Sequence, residues 1–207
     1  TGGQNVAIGY NALKVNETAS NNTAVGNNAL AANTTGASNT AVGQNAGAAN
    51  TTGTQLTVFG LGAGAAHTTG TFNTFLGYES GITCTTPSYS TAVGAYALRY
   101  LQTNGNNNTA IGYYALGATT TGANNTALGM RTLDANTTGG SNTALGADAL
   151  GANTTANNNT AVGQSALLAN TTGANNTAVG ANALDACTDG HSLVAMGHNA
   201  LGAVDDA

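Results

Sequence analysis

One spacing governs this chain. A glycine that closes a phrase of the type Ala-Val-Gly falls at Gly9, Gly26, Gly43, Gly60, Gly77, Gly94, Gly112, Gly129, Gly146, Gly163, Gly180 and Gly197. Every step is 17 residues except one of 18, whose extra residue lies near "QTNGNNN" (102–108). Twelve copies of the phrase occupy residues 1–207 as a single repeat domain, with no linker and no room for a second domain. A short, fixed period of this kind belongs to a solenoid, fibre or array, in which each unit buries its apolar surface only against its neighbours.

Helical coils are excluded by composition. Each period carries Gly, Asn and several Thr, all poor helix formers, and the apolar positions do not recur every 3.6 residues. Two short strands joined by two turns fit the period: "NTAVG" reads as one extended arm, "NALxA" as a second, and "NTTG" as turn chemistry. The expected fold is all-β, a parallel β-solenoid (β-roll) of twelve 17-residue coils about 4.8 Å apart. The Asn residues four before and seven after each anchor glycine are expected to form ladders, each amide bonding to the next coil.

The charges locate the interior. All eleven charged side chains fall two, five, eight or nine residues after an anchor: Glu79, Arg131 and Asp148 at +2, for example, and Lys14, Arg99, Asp134 and Asp185 at +5. Positions −4 to −1, +3 and +4 carry none and are expected to be interior, because unpaired charges are almost never buried. Position −2 is usually Ala and +4 usually Leu; where +4 becomes Gly47, Gly64 and Gly81, −2 enlarges to Val58 and Phe75. Exchange at near-constant volume places both in one core. Position −1 is always large and apolar, yet must point to the opposite face of its strand from −2. That second apolar face needs a partner, and another copy of the chain is the expected one.

Composition removes several classes of function. With three basic residues and a net charge of −5, the chain has no means of making the phosphate contacts that drive nucleic-acid binding. No apolar run approaches the ~18 residues of a membrane-spanning helix, so no membrane insertion is expected in this segment, and no signal peptide is read at its start. The sequence begins and stops within the repeat, without recognisable caps, which is the pattern of a segment continued by further protein or stacked end to end.

The phrases "NVAIG" (5–9), "NTAVG" (22–26) and "NTAIG" (108–112) resemble the repeats in the heads of trimeric autotransporter adhesins. The longer phrase "NTAVGxNALxANTTG" resembles still more closely the repeats of bacteriophage tail-fibre proteins, and the likeness covers nearly the whole chain. The resemblance implies an extracellular, homotrimeric, non-enzymatic fibre or adhesin at a cell surface or on a virion, with no cofactor.

Candidate sites are few. All three Phe and six of the seven Tyr lie between residues 59 and 114, and Asn73 is the only Asn between 51 and 100. Position +2 of successive coils reads Glu79, Tyr96, Tyr114, Arg131 and Asp148, which predicts Tyr96 against Tyr114 with Arg131 beside them: a platform for a glycan or receptor side chain. The alternative is local repacking plus an ordinary surface pair, Arg131–Asp148. His67 and Cys84 share position +7 in adjacent coils, where Leu101 and Val204 also stand; partial burial accounts for them better than a metal site, which wants three or four ligands. Cys84 and Cys187 lie six coils apart, too far for a disulfide. The hexapeptide "CTDGHS" (187–192) places Asp, His and Ser together but offers no oxyanion hole or pocket. Sequons such as those at Asn33, Asn50 and Asn136 abound, which favours a bacterial or viral source over a eukaryotic secretory route.

Three functions follow as expectations. The first is a structural and adhesive fibre segment, with itself as partner in a homotrimer and a cell-surface glycan or receptor as ligand. The second is an extracellular filament subunit, stacking head to tail into an open polymer. The third is ice binding through the Thr rows of "NTT", which supply a single outward rank where two are wanted. An enzyme is the class least expected.

Overall fold

The computed structural model describes residues 2–103 and 105–202. It is a parallel β-solenoid of twelve coils with one three-residue strand per coil: β1 (Val6–Ile8), β2 (Thr23–Val25), β3 (Thr40–Val42), β4 (Thr57–Phe59), β5 (Thr74–Leu76), β6 (Thr91–Val93), β7 (Thr109–Ile111), β8 (Thr126–Leu128), β9 (Thr143–Leu145), β10 (Thr160–Val162), β11 (Thr177–Val179) and β12 (Val194–Met196). All twelve pair in sequence order in one parallel sheet, each in register with the residue one period on. The longer step does not disturb this register: Thr91 still pairs with Thr109 and Val93 with Ile111.

The second expected arm is not a strand. Positions +2 and +4 take left-handed backbone, as at Asn28 (φ 57°) and Leu30 (φ 48°), and repeat it in coil after coil. The segment alternates its donors instead. Ala29 N–H and Ala31 N–H close local turns on the carbonyls of Gly26 and Asn28, while Leu30 N–H and Ala32 N–H donate to Ala46 and Ala48 of the next coil. Every second amide is thereby available to the neighbouring coil, without the extended backbone a strand would need. A leucine in this conformation costs roughly 1–2 kcal/mol, and burial offsets it: Leu30, Leu98, Leu116, Leu133, Leu150, Leu167 and Leu184 are fully buried.

The interior is narrow. It holds the −2 residue, the small residue at +3 and the leucine at +4, as in Ala24, Ala29 and Leu30. The volume exchange holds: Phe75 and Val58 are fully buried, and a Cβ on Gly81 would sit 2.8 Å from the Phe75 ring, one on Gly64 2.9 Å from a Val58 methyl. Both asparagine ladders are present. At −4, Asn22 accepts from the backbone N–H of Asn39 in the next coil and donates to the Gly36 carbonyl. At +7, Asn50 donates to Asn33 at 2.8 Å and to the Gly53 carbonyl at 3.1 Å. Buried amides with all their partners met cost little to keep inside and fix the coil-to-coil register.

Of the charge-free positions, −4, −2, +3 and +4 are interior; −3 and −1 are not. The strand residues alternate, so Thr40 and Val42 face outward while Ala41 faces the core. A row of apolar side chains at −1 therefore runs along the outside of the sheet, from Ile8 (60% exposed) through Phe59 (57%) and Leu145 (40%) to Met196 (74%). Nothing among the described residues covers it.

Candidate functional site

The regular coil puts Asn at +2, where its short amide tolerates left-handed backbone and bonds to the coil above: Asn11 donates to Asn28, Asn28 to Asn45, and, far along the chain, Asn182 to Asn199. Between Asn45 and Asn182 this spine is replaced by Gly62, Glu79, Tyr96, Tyr114, Arg131, Asp148 and Ser165. Tyr96 (φ 60°) and Tyr114 (φ 59°) keep the left-handed conformation, although a bulky ring gains nothing from it.

Tyr96 stands at the centre of what replaces the spine. Its ring lies 5.8 Å from that of Tyr114, 6.0 Å from Tyr113 and 5.3 Å from Tyr78, the last two edge to face. These are the separations at which aromatic pairs attract beyond their area burial. The structure brings Tyr96 and Tyr114 together, and puts Arg131 in the surface pair with Asp148 that the sequence offered as the alternative to a place beside the rings. The guanidinium at the tyrosines belongs to Arg99, whose Cζ is 4.7 Å from the Tyr96 ring centroid and 5.1 Å from that of Tyr100. Arg99 also donates to the Tyr114 hydroxyl at 3.4 Å and to Glu79 at 3.3 Å. Arg131 turns instead to Asp148 at 2.8 Å, the opposite charge at the same position one coil on. Same-position stacking of unlike charges is the shorter reach, and it wins. Glu79 in turn raises the Tyr78 phenol above its usual range, first by hydrogen bonding and then by its charge. The Nε of Arg99 is buried without a hydrogen-bond partner, and the rims of the cluster are open: Tyr78, Tyr100 and Tyr113 are 44%, 40% and 51% exposed. A second aromatic pair, Phe72 and Tyr89, stacks nearly parallel at 5.2 Å just before strands β5 and β6.

His67 and Cys84 are fully, not partly, buried. His67 is spliced into the +7 ladder: its Nδ1–H donates to the Asn50 Oδ1, and its Nε2 accepts from the Asn73 amide, each at 3.1 Å. These partners fix a neutral tautomer, and burial lowers its pKa to about 4. The Cys84 thiol donates to the Leu98 carbonyl, and burial pushes it far above the usual thiol range. Neither Cys84 nor Cys187 is in a disulfide. Val204 lies outside the described residues. Among the described residues no three His, Cys, Asp or Glu side chains gather as a metal would require. In the hexapeptide 187–192, His191 accepts from the Ala174 N–H of the preceding coil, and the Thr188 hydroxyl donates to Asp189.

The +7 ladder has one visible fault. The Oδ1 of Asn170 is buried with no partner, because Cys187 stands where the next amide would donate. Restoring the amide with Cys187→Asn is expected to raise stability by about 1 kcal/mol, seen as a higher melting temperature in circular dichroism; an unchanged or lower value would contradict the ladder account. The ladders also absorb the sequons, since Asn33, Asn50 and Asn136 are fully buried with their amides bonded.

No helix among the described residues is long and apolar enough to cross a membrane. No protein-family model matches the chain, no curated protein matches it, and no solved structure matches it.

Proposed function

We propose that this chain is a rigid, non-enzymatic segment of an extracellular fibre or adhesin, at a cell surface or on a virion, built by self-association into a homotrimer. One observation carries the reading: the uninterrupted outward row of apolar residues at −1, twelve coils long, beside the outward threonines of −3. Apolar surface in a continuous line marks an interaction face, and a face that repeats every coil is matched best by a surface with the same repeat, which a second copy of the chain has. Coil-to-coil hydrogen bonding supports the structural role, since each unit is tied to its neighbours through backbone and side chain alike.

Solution mass by light scattering, with negative-stain images of the same fractions, tests this. The chain weighs 20.0 kDa, so a discrete species of three times that mass supports the trimer. Long threads would make it a filament subunit instead, and a stable monomer would overturn self-association. Val162→Asp separates face from fold. Val162 points outward from β10, so the variant is expected to keep the parent circular dichroism spectrum while its mass falls to that of one chain. If Val162→Asp assembles as the parent does, the −1 row is not the interface.

A further inference from the structure

We infer that the tyrosine cluster of coils five to seven is a binding site for a neutral saccharide. The inference rests on the adhesive reading above and gives it a ligand class.

The first support is that the cluster has no need to exist for packing. A tyrosine recruited to repair the core would be buried, as Phe75 is, yet three of the five rings of the cluster are open at 40% or more. The second is what the rings replace. Position +2 is left-handed in every coil, and in the flanking coils it carries an Asn whose amide bonds to the next coil. Tyr96 and Tyr114 displace that amide spine and put ring against ring in its place.

The third support is chemical. A pyranose presents C–H groups on its faces and hydroxyls at its rim, so it wants an aromatic surface edged by planar, paired hydrogen-bonding groups. Tyr78, Tyr96 and Tyr113 supply rings from three successive coils, and Arg99 and Glu79 supply the rim. The guanidinium is a rigid fork of donors, and with the Glu79 carboxylate 3.3 Å from it the pair offers donors and an acceptor side by side at the edge of the rings. Charge selects among saccharides. Arg99 is matched by Glu79, Arg131 by Asp148, and the chain as a whole carries −5, so no net positive field is present to hold an acidic sugar.

The chain provides its own probe. It has no Trp, and five of its seven Tyr join in one cluster, Tyr78, Tyr113 and Tyr114 against Tyr96 and Tyr100 against Arg99, so intrinsic fluorescence reports mainly on the cluster. Chitotetraose, cellotetraose and maltotetraose would be titrated in turn against the full chain, following tyrosine emission and confirming by calorimetry, with sialyllactose as the acidic contrast. At least one neutral tetrasaccharide is expected to bind, and more tightly than sialyllactose. Tyr113→Ala and Arg99→Gln should each weaken it tenfold or more. Tyr10→Ala, an exposed ring at the far end of the solenoid, should leave it within twofold. Binding by none of the three neutral sugars at millimolar concentration overturns the inference, as does equal affinity in Tyr113→Ala or a preference for sialyllactose. Circular dichroism on each variant confirms that its fold is intact. Light scattering on the same samples keeps the two readings apart: an assembled chain that binds no sugar loses the site alone, and a monomer that binds sugar keeps the site while losing the fibre.

Discussion

Gly146→Ala is expected to destabilise the solenoid by about 3 kcal/mol or more, the sum of a forbidden backbone conformation and a clash with main chain. Gly146 has φ 128°, a region that side chains rarely adopt, and a Cβ there would lie 2.5 Å from the carbonyl oxygen of Gly163 in the next coil. That oxygen belongs to backbone, so no rotamer relieves the contact. The same approach recurs up the column, with 2.6 Å at Gly9 and 2.5 Å at Gly163, which is why the anchor is invariant over all twelve repeats. At ~2–4 °C per kcal/mol for a chain of this size, the melting temperature should fall by about 10 °C. Hydrogen exchange should quicken first in β8, β9 and β10, because a solenoid passes strain only to neighbours. Gly3→Ala, where a Cβ would meet nothing within 4 Å, is the matched control. A Gly146→Ala chain that melts within about 2 °C of the parent, far short of the shift expected, would refute this account of the anchor.

Acid is expected to weaken the solenoid in a defined window. His67 has its ordinary value of 6.5 in the unfolded chain and about 4 in the fold, lowered by burial. The unfolded state therefore binds more protons between those values. The stability that neutral His67 confers is complete above about pH 6.5, is lost as pH falls, and is gone near pH 4. A difference of that size corresponds to about 3 kcal/mol. The cause is local. A proton on Nε2 would face the donating amide of Asn73, and the charge would sit inside a core with no carboxylate among its hydrogen-bond partners. His67→Asn, which returns the residue found at most other +7 positions, should remove the decline between pH 6.5 and 4. The check is a set of denaturant midpoints across that range for both chains; parallel curves would show that some other group is responsible.

Much of this fold is legible in the sequence because the repeat averages out noise. The anchors give the coil count, the charge-free positions give the core, and the exchange of Gly64 and Gly81 against Val58 and Phe75 gives the contacts inside it. The ladders follow from Asn at fixed phase. The second arm was not legible as a turn, since leucine is a poor candidate for left-handed backbone and only the burial of residues such as Leu150 makes it tolerable there. Position −1 was readable as apolar and opposed to the core, but freedom from charge did not distinguish a buried row from an outward one. At the candidate site, phase alone aligned Tyr96 with Tyr114 and Arg131 with Asp148, but did not reveal the cation that meets the rings. Arg99, at +5, reaches back across the turn to Glu79 at +2, twenty residues away, a contact that no comparison of equal phases contains. Unlike charges at +2 and +5 of neighbouring coils were the available signal.

The register of the sheet has a consequence for how such a solenoid can change. Thr pairs with Thr and Ala with Ala from coil to coil, with no drift. A deletion or duplication of one whole regular period restores the register on both sides, whereas a shift of one residue within a strand would turn the core face outward. Length is therefore quantised: the solenoid gains or loses reach in increments of about 4.8 Å, each adding one layer to the continuous core. A line of descent can tune how far the tyrosine patch stands from whatever lies beyond either end simply by copying or dropping coils, and the patch itself need not change at all.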